Sequence, residues 1–393
     1  MTSCSSVLPS AEYSEHPEHP RRSEHLACPD RAEQPAQPEQ PLVSLIVPAY
    51  NAQEFLEDCL SSLCAQNLHN IEIICIDNNS TDATGQLLEK AAAQDRRIVV
   101  LHQQHRGPGQ TRNAGLAAAR GQILMFCDAD DMLKPQSCEQ VYKQFANTKC
   151  SVVVFGFEVF PARALHPSMA GQLHPRDAII AQSKHGVEQL LFEEKARPFG
   201  ARIALRASFA REHNIHFHPE LTLGDDQYFC FAVYPRSTKT VLMSDQLYLY
   251  RMNDHSITHT IGSDVDARLN KLSKHLACEH AIIQDWTAAG FLGICDEKLI
   301  EWCLDLLLLD VSKLPVCAQT SFWSQWRAEV LDAFSLQDLL SSHKLFHAAK
   351  ACLVDIASDA GMVSKCHLTM FYLRKRGVVS SMKRVVWGLT HTS

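Results

Sequence analysis

From residue 41 onward, short apolar runs alternate with longer segments whose apolar residues recur at helical spacing. The runs over 43–47 and 71–76 are nearly continuous in apolar residues, which is typical of strands buried on both faces. Between them, apolar residues from Ala52 to Cys64 recur every three or four positions. The alternation continues with strands over 98–101, 123–127 and 152–155 and helices over 82–94, over 110–120 up to Gly121, and from Pro135. This pattern predicts an α/β fold with a mostly parallel sheet and helices on both faces.

The sequence changes character at both ends of this alternating part. Residues 1–41 hold seven of the 17 prolines and few large apolar residues, so we expect a disordered tail. After residue 264 the apolar spacing is helical, and no strand pattern of comparable strength occurs. We therefore expect three parts: the tail, an α/β domain over 42–264, and a helical region over 265–393.

Composition and charge exclude several classes of protein. A net charge of −7 argues against a nucleic-acid partner, and no run approaches the ~20 apolar residues that span a bilayer. The 15 cysteines include no C-x-x-C pair, so a structural zinc site is not expected. The first 20 residues do not resemble a secretory signal. These features predict a cytoplasmic protein, while the basic, apolar residues over 372–387 leave contact with the inner face of the membrane open.

Polar residues follow the predicted strands, and in a parallel sheet such positions meet at one edge and bind ligands. Pro48 to Asn51 follow the first strand. Asn51 could cap the next helix with Glu54, or Tyr50 could offer its ring to a base. Asp77 ends the second strand, where the polar residues after it predict a turn.

The fourth strand ends in Asp128-Ala129-Asp130-Asp131. Residues two apart on an extended segment point the same way, so Asp128 and Asp130 project together. Two adjacent carboxylates repel each other unless a cation lies between them. Their hard oxygen ligands suit Mg²⁺ or Mn²⁺, either of which can bridge to phosphate oxygens.

In order and spacing, several segments together resemble the family 2 glycosyltransferases, whose fold is the Rossmann-like GT-A fold. The resemblance covers about residues 42 to 260 and lies in segments 43–51, 76–82, 107–115, 128–131, 223–227 and 247–258. It implies a nucleotide-sugar donor, with UDP favoured, and a divalent cation, Mn²⁺ or Mg²⁺. By this resemblance the donor-binding residues are Pro48, Ala49, Tyr50, Asn51, Asp77, Asn79, Arg112, Asp128 and Arg251. The metal ligands implied are Asp130, Asp128 and His259, the last on a loop that covers the donor.

The stretch Gly224-Asp225-Asp226 resembles the family's Gly-Glu-Asp, whose aspartate is the general base. Asp226 is therefore the predicted catalytic base, and Asp225 could share or exchange that role. The base would take a proton from an acceptor hydroxyl as its oxygen attacks the anomeric carbon. A single displacement inverts the configuration of the sugar.

The resemblance predicts transfer to a glycan or a lipid-linked saccharide in the synthesis of a surface polysaccharide or glycoconjugate. A sugar nucleotidyltransferase is the second enzymatic reading, although 48–51 lack the Gly-rich, basic loop it needs. A non-catalytic scaffold that binds nucleotide or glycan is the third. The helical region could bind acceptor, form a homo-oligomer or contact a membrane, and the sequence does not distinguish these roles.

Overall fold

The computed structural model describes residues 40–161, 173–194, 196–197, 199–252, 264–358, 361–375 and 377. The expected tail over 1–41 lies almost entirely outside this part of the chain. His259 and the basic segment over 383–387 also lie outside it. The predictions made for these residues stay predictions.

A single sheet carries the first two thirds of the described chain. Its strands are β1 (Val43–Ala49), β2 (Ile71–Asp77), β3 (Ile98–His102), β4 (Ile123–Phe126), β5 (Met132–Leu133), β6 (Val152–Phe160), β7 (Ala178–Ala181), β8 (Ile203–Arg206) and β9 (Lys239–Arg251). The helices between them are α1 (Leu56–Cys64), α2 (Thr84–Gln94), α3 (Pro108–Ala118), α4 (Ser137–Thr148), α5 (Lys184–Phe192), α6 (Ala207–Glu212) and α7 (Asp225–Arg236). The predicted alternation of strand and helix up to residue 155 is confirmed.

The strand order is β3-β2-β1-β4-β8-β6-β9-β5, with β7 also paired to β9. The first four strands run parallel, and β1 lies between β2 and β4, where the chain direction across the sheet reverses. β8 is antiparallel to both β4 and β6, and β6 is parallel to β9. The predicted α/β class is confirmed, and ligands in such sheets bind at the carboxyl ends of strands near the reversal point.

Both faces of the sheet are covered, as the apolar strands predict. Along β1, Leu45 and Val47 point into one hydrophobic core, and Ile46 points into the other. All three side chains are fully buried. A strand apolar on both faces is stable only between two such layers.

Gly121 does not have its predicted role as the residue that ends α3. The helix ends at Ala118, and Gly121 lies instead against β1, where its N–H donates to Ser44 Oγ at 2.9 Å. A Cβ at this position would stand 2.6 Å from Ser44 N. Glycine is therefore needed here because the backbone of the α3–β4 connection passes close to β1.

The region after residue 264 is helical in its described parts, as predicted. Its helices are α8 (Val265–Ala289), α9 (Asp296–Val311), α10 (Val316–Glu329), α11 (Leu336–Ser341) and α12 (His347–Ala357), and residues 365–375 are also helical. Trp286 of α8 is fully buried, and its indole N–H donates to Phe231 O of α7 at 3.0 Å. These helices share one hydrophobic core with a face of the sheet. The boundary at 264/265 stays a prediction.

None of the helices in the described part of the chain is both long and apolar enough to cross a bilayer.

Glu279 of α8 is a buried carboxyl group within this helical region. Trp326 Nε1 donates to its Oε2 at 2.8 Å, and its Oε1 has no hydrogen-bond partner among the described residues. Burial raises the pKa of Glu279 well above its ordinary value. The neutral form therefore favours the folded state, and this contribution is lost as pH rises from the unfolded pKa, about 4.3, toward the folded one.

We expect wild-type protein to lose stability relative to Glu279→Gln as pH rises from 5 to 8. The difference should grow by at most about 1.4 kcal/mol per pH unit, because a single proton is involved. Urea unfolding of both proteins across this range measures it, with the exposed Glu57→Gln as the control. Parallel curves for the wild type and Glu279→Gln would contradict the prediction.

Candidate active site

The carboxyl ends of β1 and β2 lie side by side. Ala49 is opposite Asp77 in the parallel register, and the N–H of Asn78 donates to Ala49 O at 2.9 Å. Ala49 is buried and Pro48 is partly exposed, so this pair forms the floor of the site through its backbone. The predicted donor residues Pro48, Ala49 and Asp77 are therefore brought together.

Asn51 joins the loops that follow these two strands. Its φ is 48°, and its Oδ1 accepts from Thr81 N at 2.8 Å. The reading of Asn51 as a helix cap paired with Glu54 is wrong, because α1 begins only at Leu56 and the Asn51 side chain is used between loops. The left-handed backbone suits asparagine, which tolerates this conformation better than most residues.

Asn79 also has a left-handed backbone, with φ 61°. Asparagine adopts this conformation more readily than most residues other than glycine. Its side chain is exposed beside the buried Asp77. The Asp77-Asn78-Asn79-Ser80 turn thus presents an amide group at the rim of the site.

Tyr50 and His105 form an aromatic surface at this edge. Their ring centroids are 4.4 Å apart, and Tyr50 is 49% exposed. The Asn78 side chain holds the His105 loop, since its Oδ1 accepts from Arg106 N at 2.8 Å and its Nδ2 donates to Arg106 O at 2.7 Å. A half-exposed ring on an anchored loop is suited to stacking against a planar ligand.

The Asp77 carboxylate is oriented by two neighbours. Its Oδ1 accepts from Ser80 N at 3.0 Å, and its Oδ2 lies 3.1 Å from His102 Nδ1. The other ring nitrogen of His102 lies 2.8 Å from Glu89 Oε1. Glu89 and Asp77 together raise the pKa of His102. No sequence pattern indicates a role for His102, because its contact with Asp77 depends on the pairing of β2 with β3.

Asp128 and Asp130 follow β4 at the same edge of the sheet. Asp128 Oδ1 accepts from Arg112 Nη2 at 2.8 Å. The Asp130 carboxylate has no hydrogen-bonded side chain among the described residues. Burial, followed by the charge of Asp128, raises the pKa of Asp130 to about 6. Arg251 and Arg112 lower this pKa only in part, and no described cation forms an ion pair with the Asp130 carboxylate.

Asp131, to which sequence analysis gave no role, connects this turn to the end of β9. Its Oδ2 accepts from the hydroxyl of Tyr248 and its Oδ1 from Arg251 N, both at 2.6 Å. Arg251 also donates through Nε to Asp130 O at 2.9 Å and through Nη2 to Asp58 Oδ2 at 2.8 Å. The structure thus places Arg251 against α1 and the aspartate turn, where it holds the start of the predicted donor-covering loop.

Arg112 of α3 lies at the centre of the site. Its Nη2 donates to Asp128 and its Nη1 to Asp225 Oδ2 at 3.0 Å, and its guanidinium carbon lies 5.3 Å from the ring centroid of Phe217. Burial lowers the pKa of Arg112, but the carboxylates of Asp128, Asp226 and Asp225 raise it above its ordinary value. One guanidinium therefore joins the end of β4 to the start of α7.

Asp226, the predicted base, lies in the first turn of α7. Its Oδ1 is buried without a hydrogen-bond partner among the described residues, and burial followed by the charge of Asp225 raises the pKa of Asp226 to about 7. Arg112 acts in the opposite direction. A Cβ added at Gly200 would stand 2.6 Å from Asp226 Oδ1, so glycine makes room for the carboxyl group. A carboxyl group with a pKa near neutrality is suited to accepting a proton.

The C-terminal helices support this turn directly. Gly224 precedes α7 with φ 81°, and a Cβ there would lie 2.8 Å from Cys278 Sγ of α8. The Cys278 thiol donates to Gly224 O at 3.3 Å. Gly224 is thus required both by its left-handed backbone and by the close approach of α8. The helical region therefore shapes the turn that carries Asp225 and Asp226.

No cluster of three or more His, Cys, Asp or Glu side chains suited to a metal occurs in the described part of the chain. Asp128 and Asp130 are brought together as predicted, but the predicted ligand His259 falls outside that part. At the end of β4 the described residues therefore supply two carboxylates, and a metal ion bound there would need further ligands from other groups.

Comparison with known proteins points to a single family. The family described as Glycosyl transferase family 2 matches residues 44–195. The putative glycosyltransferase EpsH of Bacillus subtilis (strain 168) is 34% identical over 226 residues, which are 56% of this chain and 63% of EpsH. The uncharacterized glycosyltransferase EpsJ of the same strain is 28% identical over 66% of this chain and 74% of EpsJ. The chain thus spans between three fifths and three quarters of the length of these relatives.

The fold is also found in a solved structure. A crystal structure of residues 1–349 of TarS from Staphylococcus aureus, in complex with UDP, has a TM-score of 0.63 and 18% identity to this chain. The match covers 85% of this chain and 91% of the TarS chain. Residues 42–264 are a smaller share of this chain than that, so the match extends beyond them. The sheet, its mixed connections and part of the helical region therefore follow the GT-A arrangement, and residues 44–195 match the family 2 glycosyltransferases.

Proposed function

We propose that this protein transfers a sugar from a nucleotide sugar, with UDP as the nucleotide, to a hydroxyl group of a saccharide acceptor. The observation that carries the proposal is the contact of Arg112 with both Asp128 and Asp225. It brings the aspartates after β4 next to the proposed base in α7. The family assignment gives no support to the alternative of a sugar nucleotidyltransferase.

The donor nucleoside would occupy the edge formed by the ends of β1 and β2. Tyr50 and His105 offer a stacking surface, and Asp77 presents a carboxylate held by Ser80 and His102. A carboxylate accepts hydrogen bonds from the N–H of a base such as uracil. The UDP in the TarS crystal structure supports the choice of nucleotide only through a shared fold.

Asp128 and Asp130 fit a divalent cation shared with a diphosphate. The Asp130 carboxylate forms no ion pair with a described cation, and burial, followed by the charge of Asp128, raises its pKa. Mg²⁺ and Mn²⁺ bind through one or two carboxylates together with phosphate oxygens. Such an ion, when bound, neutralises charge on the leaving diphosphate. His259 remains a candidate additional ligand by resemblance alone.

Asp226 would act as the general base for the acceptor hydroxyl. No described side chain hydrogen-bonds to its buried Oδ1, so this oxygen can accept the proton of the acceptor hydroxyl. Arg112 limits the rise of the Asp226 pKa, so an ionised fraction is present at neutral pH. Attack by the activated oxygen on the anomeric carbon expels the nucleoside diphosphate in one displacement, and the configuration of the transferred sugar inverts.

The acceptor class is proposed from the relatives and from the resemblance. TarS is a poly(ribitol-phosphate) beta-N-acetylglucosaminyltransferase, and a 23% identical relative from Rhizobium meliloti is the succinoglycan biosynthesis protein ExoO. We assign the chain to the synthesis of a surface polysaccharide or glycoconjugate, with a glycan or lipid-linked saccharide as acceptor. Action at the inner face of a membrane, through the basic C-terminal residues, belongs to the same proposal.

A panel of nucleotide sugars tests the donor assignment. The cognate donor should raise the melting temperature in the presence of Mn²⁺ and should be slowly hydrolysed to the free sugar without acceptor. UDP itself should stabilise the protein, and CMP, whose base and single phosphate differ from those of UDP, should not. If no nucleotide sugar stabilises the protein and none is hydrolysed, the proposed function is wrong.

Asp130→Asn should weaken binding of UDP with Mn²⁺ by at least about tenfold. Loss of a residue that only hydrogen-bonds to a metal ligand lowers metal affinity by about 10–100-fold, and loss of a direct ligand should lower it at least as much. UDP binding without metal should stay the same. Calorimetry with and without Mn²⁺ measures both. The exposed Asp332→Asn serves as the matched control. An unchanged affinity in Asp130→Asn with Mn²⁺ would remove Asp130 from the metal site.

A further inference from the structure

A cavity of about 400 Å³ lies between the sheet domain and the C-terminal helices. Its wall includes Phe192 of α5, Gln227 of α7 and Trp302 of α9. Gln227 directly follows Asp226, so the Cα atoms of the proposed base and of a cavity residue are about 3.8 Å apart. Asp226 itself does not line the cavity, so a ligand held there lies beside α7 and must extend past Gln227 to reach the proposed base.

Arg197 lines the cavity with a guanidinium group whose described partners are all neutral. Its Nη1 donates to Gln227 Oε1 at 2.7 Å, and its Nε donates to Leu191 O. Burial lowers the pKa of Arg197 to about 10, so it stays charged at neutral pH. Its guanidinium carbon lies 5.2 to 5.4 Å from three ring centroids, those of Phe192, Phe231 and Trp302. No carboxylate hydrogen-bonds to it among the described residues.

The other charged residues of the cavity include their own ion pairs. Glu301 Oε2 lies 3.6 Å from Lys375 Nζ and 3.8 Å from Lys298 Nζ, so one carboxylate already faces two ammonium groups. Asp305 and the exposed Glu193 complete the charged lining. Arg197 is therefore the cation of this cavity that the described protein leaves without a carboxylate partner.

A half-buried cation such as Arg197 that lacks a counter-ion has lost part of its hydration and gained only neutral partners in return. An anionic ligand would offset this cost, and the planar guanidinium suits phosphate and carboxylate oxygens. Phe192 and Trp302, which pack beside it, also give the cavity wall an apolar part. Both features together describe a site for a charged saccharide rather than for a free inorganic ion.

From this geometry we infer that the cavity binds the acceptor, and that Arg197 recognises an anionic group, phosphate or carboxylate, carried by the acceptor saccharide. The inference rests on the proposed function, because it identifies the chemical class of the second substrate. The glycan then enters from the side of the C-terminal helices. This gives α9 and the helical residues 365–375 a direct part in substrate binding.

The test uses full-length protein saturated with UDP and Mn²⁺, so that the donor site is occupied. Three probes are compared by calorimetry: glucose 1-phosphate, glucuronate and neutral methyl glucoside. We expect at least one anionic probe to bind at least tenfold more tightly than the neutral one. Preference for glucose 1-phosphate identifies a phosphate-bearing acceptor, and preference for glucuronate identifies a uronate-bearing one. Equal binding of all three overturns the inference.

Two variants locate the effect. Arg197→Gln should abolish the preference for anions, but this variant could also fail to fold because Arg197 is packed against three rings. Gln227→Glu avoids that difficulty, since it places a carboxylate next to Arg197 inside the protein. It should raise the melting temperature and remove the preference for the anionic probe. An anion preference that persists in Gln227→Glu would overturn the inference, and the exposed Glu212→Gln, outside the cavity, should behave as wild type.

These results are separable from a failure of the proposed function. If no nucleotide sugar is bound or hydrolysed, the function is wrong whatever the probes show. If UDP binds with Mn²⁺ and a donor is hydrolysed, but the three probes bind equally, only the inference about the acceptor fails.

Discussion

Replacement of Asp226 by asparagine is expected to lower the rate of sugar transfer by about 10³-fold, within the range of ~10²–10⁴ that general-base catalysis contributes. Asparagine has nearly the same shape but cannot accept the proton of the acceptor hydroxyl. Affinity for UDP with Mn²⁺ should stay within about twofold, because the predicted donor contacts lie elsewhere in the site. Steady-state transfer assays and calorimetry measure the two effects separately.

Asp225→Asn is the matched control, since it changes the neighbouring residue by the same atoms. Asp225 accepts a hydrogen bond from Arg112, so its loss should disturb the site without removing the base. We expect a smaller decrease in rate than for Asp226→Asn. A larger decrease in Asp225→Asn would transfer the role of base to Asp225. Normal rates in both variants would exclude both aspartates as the catalytic base, and the base would then be another residue.

The pH profile gives a second readout for the same residue. Only the ionised carboxylate can accept a proton, and the pKa of Asp226 is raised to about 7. Transfer by wild-type protein should therefore increase with pH from 5 to about 8 and then level off. The residual activity of Asp226→Asn should lack this increase. Burial and the negative charge of Asp225 are the two largest causes of the raised pKa of Asp226.

Local patterns were sufficient for the elements up to residue 155 except β5, because each of the others carries its own apolar spacing. The same holds for the polar turns after β2 and β4, which stand where the strand ends predict them. The two-residue strand β5 and the later strands β7, β9 and β8 were not predicted, and β8 shows the reason. It is short, and only its antiparallel pairing with β4 and β6 makes it part of the sheet.

Contacts between distant residues could not be predicted from such patterns. Arg112 is 16 residues from Asp128 and 113 residues from Asp225, and neither separation leaves a periodic signal. Asp131 stood in a motif already singled out, yet its role depends on Tyr248, 117 residues away. The segment around Arg197 carries no motif. Its importance follows only from the helices after residue 264 that close the cavity over it.

Replacement of Arg112 by methionine should destabilise the protein by about 3–5 kcal/mol, the cost of removing one partner from a buried ion pair. Methionine fills part of the volume but leaves Asp128, Asp225 and Asp226 without their common cation. Binding of UDP with Mn²⁺ should weaken as well, because the aspartates after β4 lose the contact that orients Asp128. Urea unfolding and calorimetry measure both effects.

The destabilisation by Arg112→Met should be smaller at pH 5 than at pH 8. Arg112 lowers the pKa of Asp226, so its removal lets Asp226 take up a proton more readily, and protonation relieves the repulsion as pH falls. Arg236→Met is the matched control, since Arg236 forms a two-bond ion pair with Asp285 away from the site. It should lose stability but keep its affinity for UDP. If Arg112→Met also kept that affinity, Arg112 would stabilise the fold without organising the donor site.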